Sequence, residues 1–460
     1  MTEIQSRRSS FKYWAMIWSL GLAGQLCWNI VNLWFNTFIY AKIAMDSRIV
    51  AAMVISSSIL STFSTFYFGT LSDRLGSRRK FISYGYIIWG VLTIVFGFTE
   101  FIGGGVAGQG ASVIFLTATI VVLTGSIMSF FGSMANDSGF NAWINDTTTD
   151  KNRGQLGAAL AVHPIIGTIL GTVVGGMLVG SDDNYQRLFW TVGLFVIAIG
   201  VISLPFVQDA PTLKPHREGT FWKQFFSIFD FRALFKQREL MFACLALVAF
   251  FTPFNVFFVH MGNWLIHRMG FTPDLMGLIQ GTALIAAMFL AVPGTILINK
   301  HKTPIVAIAG AILNAAGVLA VSLFIRPGMG NTETVFAVEN IPLLICVFLV
   351  GAGMVLFTQS LTMWVKQLFP EDNRGQFEGI RLLSFMLIPM VIGTLIGNAV
   401  IRGGEGSVVN EFGIVENIPT EALFGWAAVL MIPLVVPIVL ATRLYFKRVR
   451  GEKERATWTN

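Results

Sequence analysis

Apolar runs recur along almost the whole chain, and very little charge interrupts them. A helix needs about 20 apolar residues to cross a hydrocarbon core of ~30 Å. Backbone inside that core has no water to bond, so only helices and closed barrels can span it. Runs this long, without period-two alternation, select the helix. Twelve are read from the sequence: 14–38, 49–71, 81–101, 111–139, 156–180, 187–207, 239–263, 274–298, 304–325, 341–363, 377–401 and 421–445. Charged residues make up only 12% of the chain, against roughly 25% in soluble domains, which excludes a soluble globular class. Arg7, Arg8 and Lys12 precede the first run as in a signal peptide. That run is too long for a signal core and is followed by many like it, so it is read as the first span.

The long polar interruption at 208–238 separates runs six and seven. The expected fold is an all-α integral membrane protein of twelve transmembrane helices in two pseudo-symmetric six-helix bundles. They occupy 1–207 and 239–446, joined by the linker 208–238 and followed by an irregular tail, 447–460. The sequence repeats itself accordingly. Trp143 opens a run ending Asn152-Arg153-Gly154-Gln155, and Trp364 opens one ending Asn373-Arg374-Gly375-Gln376, 221 residues later. Ile166-Gly167-Thr168 through Gly171 is echoed by Ile392-Gly393-Thr394 through Gly397. Many membrane transporters are built from such repeats and bind cargo between them.

Charge sets the expected orientation. Of the 32 Lys and Arg, all but Lys42, Arg48, Arg187, Arg268, Arg326 and Arg402 fall at one end of the spans, together with both termini. The positive-inside rule puts that basic end in the cytoplasm, of a plasma membrane, and accounts for the net charge of +7 without nucleic acid. In the linker, Phe221 to Leu240 mixes aromatics with Lys223, Arg232, Lys236 and Arg238, as expected of one helix lying on membrane lipid. Cys27, Cys244 and Cys346 fall inside runs and show neither disulfide nor metal-ligand spacing. No cofactor is expected. No phosphate-binding Gly-rich Lys-Ser/Thr loop is present, so neither ATP hydrolysis nor other enzyme activity is expected.

The polar residues inside the runs carry the functional reading. Gln25, Asn29, Asn32 and Asn36 share one face of the first helix, with Trp28 beside them. Amides match sugar hydroxyls, and an indole can stack on a pyranose ring. Asn255 and Phe258 in run seven, Gln280 in run eight, and Gln359 with Trp364 at run ten join this candidate substrate set. The same amides could instead bond helix to helix. Asp137 is the candidate cation-coupling acid, since an ionisable group inside a membrane span is costly to keep for no purpose. His163 and His260 are alternative proton carriers or packing residues. Glu378 and Arg381, three apart, can pair on one helix face.

Gly69-Thr70-Leu71-Ser72-Asp73-Arg74-Leu75-Gly76-Ser77-Arg78-Arg79-Lys80, between runs two and three, resembles the signature of the major facilitator superfamily. Gly69 and Gly76 are expected to allow close approach and a sharp bend, and Asp73 to accept from a helix N-terminus. In that family the loop latches the two halves, which implies a gating role for Asp73, Arg74 and Arg78, joined by Asp146, Arg153, Arg374, Glu378 and Arg381. Asp137-x-x-Phe140-Asn141-Ala142-Trp143, with Asp146, Thr148 and Arg153, resembles the glycoside–pentoside–hexuronide cation symporters, and it adds Asn141 to the substrate set. The spaced residues of helix one also resemble the sucrose-type transporters. The further cation-binding acids of melibiose-type members fall on Ser61 and Thr65, and their sugar-binding acid near Leu26, so a site of several carboxylates is not expected. Gly167-x-x-x-Gly171-Thr172-x-x-Gly175-Gly176 resembles the antiporter motif, with Thr172 where proline is usual. Close helix packing is the simpler reading.

The expected protein is a monomeric secondary transporter working by alternating access, carrying a sugar or glycoside in symport with H+. A drug or metabolite exporter and a lipid carrier remain alternatives of the same fold.

Overall fold

The computed structural model describes residues 11–102, 111–149, 152–215, 219–227, 232–370, 374–404, 406–409 and 415–458. Among them, eleven helices are long and apolar enough to cross a membrane: Ser47–Leu75, Arg79–Phe101, Ser112–Thr147, Gln155–Val179, Tyr185–Phe206, Arg238–Arg268, Pro273–Asn299, Thr303–Phe324, Val338–Gln367, Phe377–Gly403 and Ala422–Gly451. Ahead of them the first run is helical as Phe11–Asn29, a π turn Ile30–Trp34, Phe35–Phe38 and a second π turn Ile39–Ile43. These segments are spans one to twelve, in chain order.

Helix outlasts the apolar run at several ends. Span four continues to Thr147. The last helix reaches Trp458, where the sequence suggests an irregular tail. Lys and Arg are good helix formers and favour a helix C-terminus, so a basic stretch extends the helix rather than ending it. The polar loop before span twelve forms a hairpin, Ser407–Val409 against Val415–Asn417.

By internal packing the chain divides into two compact units. One comprises Met1–Phe225, Val259–Gly281 and Glu405–Pro419; the other comprises Phe226–Phe258, Thr282–Gly404 and Thr420–Asn460. Each is described by itself.

In the first unit, span five lies so close to span one that its glycines have no room for a side chain. A Cβ on Gly167 would fall 2.4 Å from the Cβ of Gln25, and one on Gly175 would fall 2.3 Å from the Trp34 indole nitrogen. That indole donates to the Gly171 carbonyl at 2.9 Å. On the other face of span five, a Cβ on Gly277 would sit 2.5 Å from the Thr172 carbonyl oxygen. The glycine motif is thus a packing seam on both sides. In the second unit, a Cβ on Gly393 would fall 2.8 Å from the Cβ of Asn255. The repeated Ile-Gly-Thr sequence therefore does one job twice: it lets spans five and eleven rest on the amide-bearing faces of spans one and seven.

The twin tryptophans are equivalent in the same way. Trp143 is buried, donates to the Gln208 carbonyl at 2.8 Å and packs on Tyr13 with ring centroids 5.5 Å apart. Trp364 is buried, donates to Glu239 Oε1 at 2.8 Å and meets Tyr445 edge-on at 5.2 Å. Each ties the end of a long helix to its own bundle.

In the linker, Phe221–Ser227 and Arg232–Lys236 are helical, and residues 228–231 between them lie outside the described residues. Phe221 and Phe225 pack on Tyr67 and Phe63 of span two at 5.2 and 5.7 Å, while Trp222 and Phe226 stay exposed.

Gly167→Val and Gly393→Val should each destabilise the protein by about 1–3 kcal/mol through overpacking. Gly157→Ala, where a Cβ meets nothing within 4 Å, should be neutral or slightly stabilising. Thermal unfolding of the detergent-solubilised variants, compared with wild type, measures the contrast.

Candidate functional site

Five π turns interrupt the described helices, and two lie where the sequence places its functional residues. Asn32 sits in Ile30–Trp34, and Asp137 sits in Met134–Phe140 of span four. A π turn adds a residue to the helical repeat and re-aims the side chains around it, and such turns are frequent at functional sites. Nothing in the hydrophobic periodicity signals them.

Asp137 is only partly buried. Ser133 donates to its Oδ2 at 2.9 Å, and the Trp28 indole stands beside the same carboxyl. Both partners are neutral. Among the described residues no Lys, Arg or His forms an ion pair with it. Trp28 leans on Trp89, with ring centroids 5.2 Å apart. Span one, span three and span four thus meet at one carboxyl and two indoles.

The amide stripe of span one divides by position. Asn29 donates to Thr172 Oγ1 of span five at 3.0 Å. Asn36 is buried, donating to the carbonyls of Asn32 at 2.8 Å and Val259 at 3.0 Å. Asn263 returns a bond to the Asn36 carbonyl at 3.0 Å. Gln25 and Asn32 are partly exposed, and the Asn32 side chain makes no hydrogen bond among the described residues. Asn141 is exposed and reaches only the Asp137 carbonyl, at 3.4 Å. Gln280, within the first unit, is buried against Met276 Sδ.

In the second unit the candidates lie on spans seven and ten. Asn255 is buried and donates to Phe251 of its own helix at 2.8 Å. Phe258 stacks on Phe254 at 4.9 Å. Gln359 bonds Thr295 of span eight. Trp364 lies inside the cluster of Glu239, Tyr445 and Arg448, where Arg448 Nε reaches Glu239 Oε2 at 3.0 Å. Its indole face is covered by packing. The two histidines are buried, and neither ring nitrogen of either has a partner among the described residues. His163 packs against Trp18 and Phe140. His260 stands at a break in span seven, between Phe258 and Met261.

The signature loop is built around one buried arginine. Arg78, 5% exposed, bonds Asp73 and Ser72 at the end of span two, and its Nε reaches Asp146 Oδ2 of span four at 2.9 Å. Burial works against its charge, yet the carboxylates of Asp73 and Asp146 hold its pKa above the ordinary arginine value. Asp73 therefore pairs with a side chain rather than capping a helix. The cap is Asp209, which the sequence reading misses. Its Oδ1 accepts from the backbone N–H of Arg78 at 2.6 Å and of Arg79 at 2.9 Å, and its Oδ2 accepts from Ser77 at 2.8 Å. An acid just after a span, facing free N–H groups at the start of another, is the signal that could have found it. Gly76 makes the bend, at φ 63°, while Gly69 has nothing near it and permits no special approach. Arg74 reaches the linker, bonding the Gly219 carbonyl at 3.0 Å. Glu378 and Arg381 form an ion pair at 2.6 Å. The side chains of Arg153 and Arg374 lie outside the described residues.

Helices long and apolar enough to cross a membrane, with packing seams repeated along the chain, give the architecture of a multi-pass membrane protein. Residues 17–329 and 253–459 match the model of the Major Facilitator Superfamily, and the chain belongs to that family. No curated protein sequence matches it. Among solved structures, a mutant of the nucleoside transporter NupG aligns at 12% identity with a TM-score of 0.66, covering 93% of this chain and 99% of that one. The D-xylose-proton symporter aligns at 13% identity with a TM-score of 0.65, covering 93% and 97%. At such identities the likeness speaks for the fold alone.

Asp209→Ala, which removes three hydrogen bonds at the start of span three, should cost about 1–3 kcal/mol of stability. Calorimetric unfolding against wild type measures it, and a change within error would dismiss the cap. Trp364→Phe should lower the melting temperature through the lost bond to Glu239 while leaving the transport KM unchanged. A raised KM with unaltered stability would instead put Trp364 against cargo.

Proposed function

We propose that the protein is a secondary transporter that carries a small, neutral, hydroxylated solute, a sugar or glycoside, in symport with H+. The observation that carries this reading is Asp137 itself, a carboxyl on the π turn of span four, bonded by Ser133, with the Trp28 indole beside it and no cation paired to it among the described residues. An uncompensated carboxylate in hydrocarbon is costly, and taking up a proton removes that cost. Here the group beside the carboxyl is an indole on the helix face that bears Gln25 and Asn32. An indole can also stack on a sugar ring. A ring that moves Trp28 changes the donors left to Asp137, and a proton on Asp137 changes the hold on Trp28. Cargo and proton are thereby linked through one side chain, as reciprocal coupling requires.

Gln25, Trp28 and Asn32 are the proposed cargo contacts in the first unit, and Asp137 is the proposed proton carrier. Asn29 and Asn36 hold helices together in this arrangement. Arg78, with Asp73 and Asp146, forms the proposed latch at the basic end. The two aligned structures support the cargo class: nucleosides and D-xylose are both hydroxylated rings, and the xylose protein is named as a proton symporter.

Reconstituted protein should exchange labelled disaccharides or nucleosides in counterflow. Asp137→Asn should keep counterflow but lose at least tenfold of the uphill accumulation driven by an imposed pH gradient. Unchanged uphill uptake by this variant would sink the proton assignment. Absence of exchange with any sugar or nucleoside, at any pH gradient, would sink the cargo assignment.

A further inference from the structure

The face of span one that bears the amides does not end at Gln25. Seven residues earlier it carries Trp18, and four before that Trp14, at the helical spacing that keeps residues on one side. These two indoles line a cavity of about 480 Å³ with Gln155, Ala159 and Val162 of span five. The cavity lies near the end of the bundle where Tyr13 bonds Thr147, the last residue of span four, which is the basic end.

Its lining is selective in kind. Trp18 is 37% exposed, so its ring is available, and Gln155 is exposed. Among the described residues no charged side chain lines it. The volume falls within the ~300–1,000 Å³ of small-molecule sites. Behind Trp18 stands His163, 1% exposed, its ring edge-on to the indole at 4.8 Å, with neither ring nitrogen partnered among the described residues. Gly21 leaves the room: a Cβ there would fall 2.2 Å from His163 Nδ1. A buried imidazole is therefore held against the back of a partly open indole.

We infer that Trp14, Trp18 and Gln155 form a second, waiting subsite for a neutral ring-bearing solute at the basic end of span one, separate from Trp28 and Asp137. Indole faces take a sugar or nucleoside ring by stacking, and the Gln155 amide offers a donor and an acceptor to its hydroxyls. His163 is a positioning residue that fixes the tilt of Trp18. The subsite rests on the cargo class proposed above, since its chemistry is that of the same ring. A solute leaving Gln25 toward the basic end meets Trp18 next on the same helix face.

The test uses full-length protein reconstituted in one orientation, with labelled sucrose, lactose and uridine as probes. Trp18→Ala should raise the KM measured with solute on the basic side by roughly three- to tenfold, and leave the KM from the opposite side unchanged. Trp18→Phe, which keeps a stacking face, should restore most of it. Independently, Val162→Cys should be shielded from a maleimide by the transported probe; the three native cysteines are buried and give little background. Equal KM changes from both sides, or unchanged KM with no shielding, overturn the subsite and leave the cargo assignment standing. A wild type that exchanges none of the probes overturns both.

Discussion

Inside hydrocarbon a polar group has only the protein to bond with, and that constraint governs this molecule. It makes every span a helix, and it also sorts the polar side chains. Asn29, Asn36, Asn255 and Trp364 each place a donor on a carbonyl, hydroxyl or carboxylate of a helix. Asn314 does the same, donating to the Val350 carbonyl at 2.7 Å across spans nine and ten. These bonds account for the donors, while the side-chain oxygens of Asn29, Asn36 and Asn314 have no partner among the described residues. Asp137, Asn32 and His163 are not explained in that way. Among the described residues Asp137 has a donor but no cation, the Asn32 side chain has no hydrogen-bond partner, and His163, like His260, is buried with both nitrogens unmatched. A polar group retained without a structural bond is where function is most economically sought.

The same constraint sets how much could be read from sequence. Spans are legible because their length and apolarity are demanded by the bilayer. The twin tryptophans and twin Ile-Gly-Thr segments are legible as repeats, and each turns out to mark a repeated contact. The period of a helix shows which residues share a face, but not what that face meets. Gln25, Asn29 and Asn36 are equivalent by period, yet Asn29 meets Thr172, Asn36 meets Val259, and Gln25 stays partly open. The bond from Asp209 to the start of span three joins positions about 130 apart, and no local pattern announces it. The linker shows a further limit. Its aromatics look fit for lipid, but Phe63 and Tyr67 on span two offer Phe225 and Phe221 a closer apolar surface.

The halves are alike in scaffold and unlike at the candidate coupling position. At the repeat offset, Asp137 corresponds to Thr358 of span ten. Span ten runs as regular α-helix from Ile341 to Gln367, whereas span four opens into a π turn around Asp137. The difference matters physically. In a regular helix a side chain keeps the bearing that its neighbours at three and four residues impose. The extra residue of a π turn breaks that bearing, so Asp137 can face Trp28 while Met134 and Phe140 stay in the core. On the proposed reading, acid and helix defect belong together. A carboxyl inserted at Thr358 would have no π turn to aim it. On that reading the π turn of span four, which its counterpart span ten lacks, is where a proton would act.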